Sequence, residues 1–298
     1  MHISLSSTLL FTLAGIASAS YEFSSNSNGS TSNSDIPIIP NIINGKATGT
    51  DLYPFISQLY RTDDQGKTFS FTCTGSLIAS QYVITAAHCV HYSDRTLQPA
   101  NTFKVSVGKA TLADSNDIAS LYSVTDISVN GYRTKASNDI VVLKLDRPVP
   151  ASVATPAKIY PYKITDKLPI EVAGFGVTKF DSSEASKTLL RTVLSVSSAS
   201  QCSAFNADWS NNSGPVVCSI NANGNDSCKG DSGGPLVAKL NGKRTLVGIT
   251  SWGTNMDLTK PSSCGENTIS FYVRAAYFVK WIASVVGTDY RQLVEMAN

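Results

Sequence analysis

The chain is predicted to be an all-β protein, and three observations predict it. Short runs rich in Val, Ile, Leu, Thr and aromatic residues recur at 55–60, 76–85, 103–107, 140–145, 170–173, 189–196, 236–240 and 245–252. Turn residues separate them, as in Asp63-Asp64-Gln65-Gly66 and Asn241-Gly242. The second of these lies between two apolar runs and is the two-residue signal of a tight hairpin. Alternating strands and crossover helices are missing, which argues against a parallel sheet. Many short strands spread over about 250 residues point to barrels or a sandwich. The exception is 275–286, where Phe278, Ile282, Val285 and Val286 fall on one face of a helix.

Composition narrows the function. The 298 residues carry a net charge of +2 with no basic run, so neither nucleic acid nor an anionic membrane is an expected partner. Six cysteines form no C-x-x-C pair, and an even count suits a secreted protein with disulfides. Neither zinc nor a redox dithiol is expected.

The N-terminus reads as a secretory signal over 1–19. Residues 9–16 (L-L-F-T-L-A-G-I) are a short apolar core, and Ala17-Ser18-Ala19 is an A-x-A cleavage site, although no Lys or Arg precedes them. No later stretch has the ~18 apolar residues of a membrane span. Residues 20–41 are rich in Ser and Asn and carry Pro37 and Pro40. Such a segment buries too little to order itself and is predicted to be a flexible pro-segment. The remaining domain is 42–298, and the weakly patterned stretch 156–167 is expected to link two halves.

Ser232 lies in 230–235 (G-D-S-G-G-P). Glycines on both sides let backbone N–H groups converge beside a serine oxygen, the arrangement a seryl-enzyme needs for a developing oxyanion. The chain has three histidines, and His2 leaves with the signal, so His88 and His91 remain. His91 reads as a solvated turn residue. No histidine follows Ser232, which excludes the Ser-acid-His order of a nucleophile elbow. The order His, Asp, Ser stays open, and Asp139, placed before the apolar run 140–145, can supply the acid.

The segments 85–89 (T-A-A-H-C), Asn138-Asp139-Ile140, 230–235 and Ser251-Trp252-Gly253 occur in the order found in the trypsin/chymotrypsin family of serine proteases, which this chain resembles over roughly 42–287. Gly174-Phe175-Gly176 is similar to that family's Gly-Trp-Gly. The resemblance implies two six-stranded antiparallel β-barrels with a C-terminal α-helix and a site in the cleft between the barrels. It implies Ser232 as nucleophile, His88 as general base, Asp139 as the residue that orients His88, and the N–H groups of Gly230 and Ser232 as oxyanion hole. It picks the pairs Cys73–Cys89, Cys202–Cys218 and Cys228–Cys264 from the 15 that six cysteines allow.

The resemblance also places Asp226, with Ser227 beside it, at the floor of a pocket that pairs with Lys or Arg. Ser251, Trp252 and Gly253 become the strand that meets substrate backbone. Ser270 stands where trypsins usually carry a pocket glycine, and its hydroxymethyl is expected to narrow the floor. Lys109 replaces an acidic calcium ligand, so no metal is expected, nor any cofactor. Thr74 replaces a common glycine near the leaving-group side. Cleavage at Asn41–Ile42 is expected to free an ammonium on Ile42 that inserts beside Asp231. No Lys or Arg occurs in 1–41, so a separate activating protease is implied. Of three N-x-S/T sequons, Asn211 is the candidate for glycosylation in the mature chain.

The expected function is a secreted, monomeric, trypsin-like serine endopeptidase made as a zymogen and acting on protein or peptide substrates. The alternatives are a catalytically silent homologue acting as a binding module, and an active protease with non-tryptic specificity.

Overall fold

A computed structural model describes residues 42–298 apart from 115, 116, 137 and 222; the expected signal, pro-segment and Asn41 lie outside the described residues. The strands run β1 (Lys46–Ala47), β2 (Ile56–Arg61), β3 (Ser70–Ala79), β4 (Tyr82–Thr85), β5 (Phe103–Val107), β6 (Tyr122–Val129), β7 (Val141–Leu145), β8 (Pro169–Gly174), β9 (Leu190–Ser195), β10 (Val216–Asn221), β11 (Pro235–Leu240), β12 (Lys243–Asn255) and β13 (Thr268–Arg274). Two α-helices are described, α1 (Gln201–Phe205) and α2 (Val279–Val286).

Strands β2-β3-β4-β7-β6-β5 close into an antiparallel barrel. The second half is an antiparallel sheet in the order β1-β9-β8-β11-β12-β13-β10. Its two sides meet at the bridge Val196↔Ser219, where Ser197 N–H donates to Cys218 O at 2.9 Å. Six strands therefore curl into a second barrel, and the two-residue β1 adds a seventh alongside β9. Closure removes the unpaired edges that an open sheet would present. The register shifts at Leu59/Tyr60, Leu77/Ala79, Val124/Asp126, Leu236/Val237 and Thr250/Trp252 add the local twist that a tight barrel needs.

The run 76–85 is two strands, not one, because the chain turns between Ala79 and Tyr82. Both strands bury most of their residues, so no change of pattern marks the turn in the sequence. Asn241-Gly242 forms the expected hairpin between β11 and β12, with φ of 51° and 75° at its two residues. The predicted C-terminal helix starts with a 3₁₀ turn (Ala275–Phe278) before α2. It ends at Gly287, whose φ of 76° lets its N–H turn back to Ala283 O.

One apolar cluster fills the first barrel around Ile56, Leu77, Phe103 and Leu143 and continues under α2 to Ile282. A second fills the other barrel around Val172, Val217, Leu236 and Tyr272. The segment after β7 crosses to β8 and is held at Ile159, which bridges both Leu246 and Val294. The three disulfides are Cys73–Cys89, Cys202–Cys218 and Cys228–Cys264, the pairing the resemblance implies. Among the described residues no helix is long and apolar enough to cross a membrane.

Candidate active site

His88 arrives on a short 3₁₀ turn (Ala87–Val90) at the end of β4, and its neighbour Cys89 is tied to Cys73 on β3. Asp139 precedes β7. Asn138 takes a positive φ of 53°, and Ile140 N–H closes the turn onto Asn138 O. The Asp139 carboxyl is fully buried and faces His88 twice: Oδ2 lies 2.7 Å from Nδ1, and Oδ1 accepts the His88 backbone N–H at 2.8 Å. Ser251, from β12 of the other barrel, donates to Asp139 Oδ2 at 2.5 Å. An ionised carboxyl only accepts, so this arrangement puts the imidazole proton on Nδ1 and leaves the Nε2 lone pair free. His91 is not a solvated turn residue. Its ring packs on Tyr132 at 4.7 Å, and its Nδ1 lies 2.6 Å from Ala87 O.

Ser232 sits in a backbone loop whose shape its neighbours dictate. Gly230 has φ 95° and Gly233 φ 78°, the region that side chains disfavour. A Cβ on Gly233 would also lie 1.9 Å from Thr85 Oγ1. Thr74, on β3, holds the loop from across the cleft: its N–H donates to Ser232 O at 2.9 Å and its hydroxyl to Gly230 O at 2.8 Å. Among the described residues no acceptor receives the N–H of Gly230 or of Ser232, so both donors are free for an oxygen brought by a ligand.

The Asp231 carboxyl is fully buried beneath this loop and accepts from Gly176 N–H at 2.8 Å and Cys228 N–H at 2.9 Å. Burial pushes its pKa up to about 7, and the nearby Asp226 carboxyl adds to the effect. Gly174 and Gly176 make the room it needs, since a Cβ on either would lie 2.3 Å from a carboxyl oxygen. Ile42 is fully buried, and Ile43 bridges Asp226.

A cavity of about 470 Å³ opens beside Ser232, lined by Ser227, Ser251, Trp252, Gly253, Ser270 and the Cys228–Cys264 disulfide. Trp252 is braced by stacking on Phe271 at 4.6 Å. Asp226 is not among the lining residues. It is fully buried and takes hydrogen bonds from Ser227 N–H, Gly265 N–H, Thr268 Oγ1 and Ser270 Oγ. Burial pushes its pKa up to about 6, against the pull of those donors. Sequence reading missed Thr268, and it gave Thr74 no bonding role. Their partners lie 42 and 156 residues away, so nothing local marks them.

Lys109 pairs with Asp117 at 3.5 Å. Among the described residues the one cluster of metal-ligand type is Cys73, His88 and Cys89, and both of its cysteines are spent in a disulfide. Asn211 is exposed on the loop after α1, and its side-chain oxygen accepts Ser213 N–H.

A sequence model of the Trypsin family matches residues 42–282. The chain is 27% identical over 270 residues to CLIP domain-containing serine protease B4 of Anopheles gambiae, covering 84% of this chain and 71% of the relative. It is 28% identical over 260 residues to Chymotrypsin-like elastase family member 1 of Homo sapiens, covering 83% and 93%. It is 30% identical over 273 residues to Limulus clotting factor C of Carcinoscorpius rotundicauda, covering 85% of this chain and 26% of that protein. The fold, the disulfides and the family match lead to one conclusion: the chain belongs to the trypsin family of serine proteases.

Proposed function

We propose that the chain is a secreted serine endopeptidase that works through a seryl acyl-enzyme. The observation that carries this reading is the His88–Asp139–Ser251 hydrogen-bond chain beside a cavity lined by Ser232, with the Gly230 and Ser232 N–H groups unspent. Ser232 Oγ attacks the scissile carbonyl carbon as His88 Nε2 takes its proton. The carbonyl oxygen becomes an oxyanion held by the two free N–H groups. His88 then gives its proton to the leaving amine, and the carbonyl reforms as an ester on Ser232. Water attacks that ester with His88 again as base, the acid product leaves and Ser232 regains its proton. Asp139 holds the tautomer throughout and stabilises the imidazolium.

Secretion rests on the apolar run 9–16 and the Ala17-Ser18-Ala19 site. Zymogen activation rests on a cut at Asn41–Ile42, whose new ammonium pairs with Asp231 beneath the Ser232 loop. A charge pair of that kind stabilises only when both partners are present, and this makes it a switch. On the Lys or Arg reading of the cavity a separate protease makes this cut, because 1–41 holds neither residue.

For the side chain accepted by the cavity, one reading is Lys or Arg, with Asp226 as the counter-charge. A second reading, an uncharged side chain, is favoured by the burial of Asp226 under Thr268 and Ser270.

A sulfonyl fluoride should label Ser232, and Ser232→Ala should abolish peptide hydrolysis by the secreted chain. Label on another serine, or unchanged turnover in the variant, would overturn the assignment. A correctly processed chain that hydrolyses no peptide would favour the silent binding module.

A further inference from the structure

We propose that Ser227 and Ser270 are the floor of the cavity beside Ser232, that Asp226 is withheld beneath them with its oxygens already hydrogen-bonded, and that the pocket takes an uncharged side chain instead of Lys or Arg. This rests on reading that cavity as the substrate pocket of a serine endopeptidase.

The first ground is position. Ser270 is the strand partner of Gly253, both residues line the cavity, and a Cβ on Gly253 would meet Ser270 Oγ at 2.9 Å. The same oxygen donates to Asp226 Oδ1 at 2.9 Å, so it sits between the cavity and the carboxyl. Ser227 Oγ is spent on the buried Tyr272 hydroxyl at 3.2 Å. A cation reaching into the cavity meets hydroxyls and a disulfide, with the carboxyl behind them.

The second ground is that the Asp226 oxygens are already engaged. They accept Ser227 N–H at 2.8 Å, Gly265 N–H at 3.1 Å, the Thr268 hydroxyl at 2.8 Å and the Ser270 hydroxyl at 2.9 Å. Asn221 Nδ2 lies 3.1 Å from Ser270 Oγ, so Ser270 accepts there and sends its own proton to Asp226 Oδ1. Among the described residues no Lys, Arg or His bonds Asp226. A cationic side chain would have to displace these donors to reach the carboxyl, and a buried donor left without its acceptor is costly.

The third ground is the rim. Lys135 and Lys229 line the cavity, and no acidic residue does. The Lys229 ammonium is held over the Phe180 ring and donates to Phe180 O at 3.0 Å. A cationic side chain therefore meets no counter-charge among the residues that line the cavity.

The test uses the full chain as secreted, with active sites titrated by a sulfonyl fluoride. Peptide anilides differing only in Lys, Arg, Gln, Leu, Phe or Glu before the cleaved bond give kcat/KM. An uncharged residue should lead Lys and Arg by at least about 100-fold, the scale on which a site rejects a group it cannot pair. Lys, Arg or Glu in first place overturns the proposal. Failure of the titrant to label Ser232 overturns the endopeptidase reading, and the proposal with it.

Benzamidine binding, followed by calorimetry, does not depend on turnover. Its amidinium probes the floor directly. It should bind wild type at least about 100-fold more weakly than Ser270→Gly, in which the cap is gone. Ser270→Ala, which keeps most of the bulk, serves if the glycine variant does not fold, and it should gain affinity in the same direction. Equal benzamidine affinity in wild type and variant overturns the proposal.

Discussion

Gly176→Ala should disable the Ser232 loop from a distance, and the size of the effect follows from the space around Asp231. A Cβ on Gly176 would lie 2.3 Å from Asp231 Oδ2, 2.5 Å from its Cγ and 2.8 Å from Oδ1. The carboxyl must retreat by about 1 Å to reach ordinary contact, on the packing scale of protein interiors. Its two hydrogen bonds, 2.8 Å from Gly176 N–H and 2.9 Å from Cys228 N–H, then stretch beyond useful length. Bonds to a charged group stabilise by about 1.5–3 kcal/mol each, so losing both costs about 3–6 kcal/mol. That is a large share of the roughly 5–15 kcal/mol that holds a domain together. The shifted Asp231 also pulls on Gly230 and Ser232, so turnover should fall with stability. Urea unfolding in a Ser232→Ala background, which prevents self-digestion, reads the stability; peptide hydrolysis by the single variant reads the turnover. Gly49→Ala is the control, because its Cβ meets only the tip of the exposed Asp51 side chain, at 2.6 Å, and that tip can swing away. A Gly176→Ala chain within about 0.5 kcal/mol of its parent, the range of an ordinary surface change, would refute the reasoning.

Burial raises the folded pKa of Asp226 to about 6 and of Asp231 to about 7, both from 3.8. Their contribution to stability is therefore fully present below the unfolded value and is lost as pH rises through about 6 and 7. The Ser232→Ala chain left uncut at Asn41–Ile42, so that no Ile42 ammonium faces Asp231, should lose stability between pH 5 and pH 8, and adding Asp226→Asn should flatten part of that slope; an unchanged slope in urea midpoints would refute the assignment to Asp226. On the Lys or Arg reading, N-terminal sequencing of secreted wild type and of Ser232→Ala should give Ile42 in both, because 1–41 holds no Lys or Arg and another protease makes the cut. A start at Ile42 in wild type alone would show self-processing, and any other start in the active form would refute the junction.

The chemistry of the site was legible because it is written locally. The glycines around Ser232, the small residues before His88 and the turn before Asp139 each fall within a few positions. The outer ring of partners was not legible. Ser251 reaches Asp139 across 112 positions, and Thr268 and Ser270 reach Asp226 across 42 and 44. The same residues hid a strand. β13 reads T-I-S-F-Y-V-R and is buried throughout, but Thr268, Ser270 and Arg274 break up its apolar run. Two of those polar residues are inside because they bond Asp226, so the site itself disguised the strand. β6 and β10 were missed in a related way: β6 alternates weakly and stays half exposed, and β10 carries Ser219 and Asn221 inward.

Each of the three disulfides closes within one half of the molecule, at separations of 16, 16 and 36 residues. What spans the cleft near Ser232 is noncovalent: the two bonds from Thr74 to the Ser232 loop, the bonds from Ser251 to Asp139 and to Lys135 O, and an apolar cluster to which both halves contribute. Oxidation of the cysteines therefore locks each barrel without building the site. A chain with both halves folded but not docked would lack the oxygen-to-oxygen contact that completes Asp139 and the brace that shapes the Ser232 loop. Assembly of the site therefore depends on noncovalent docking of the two halves, and oxidation of the cysteines alone does not complete it.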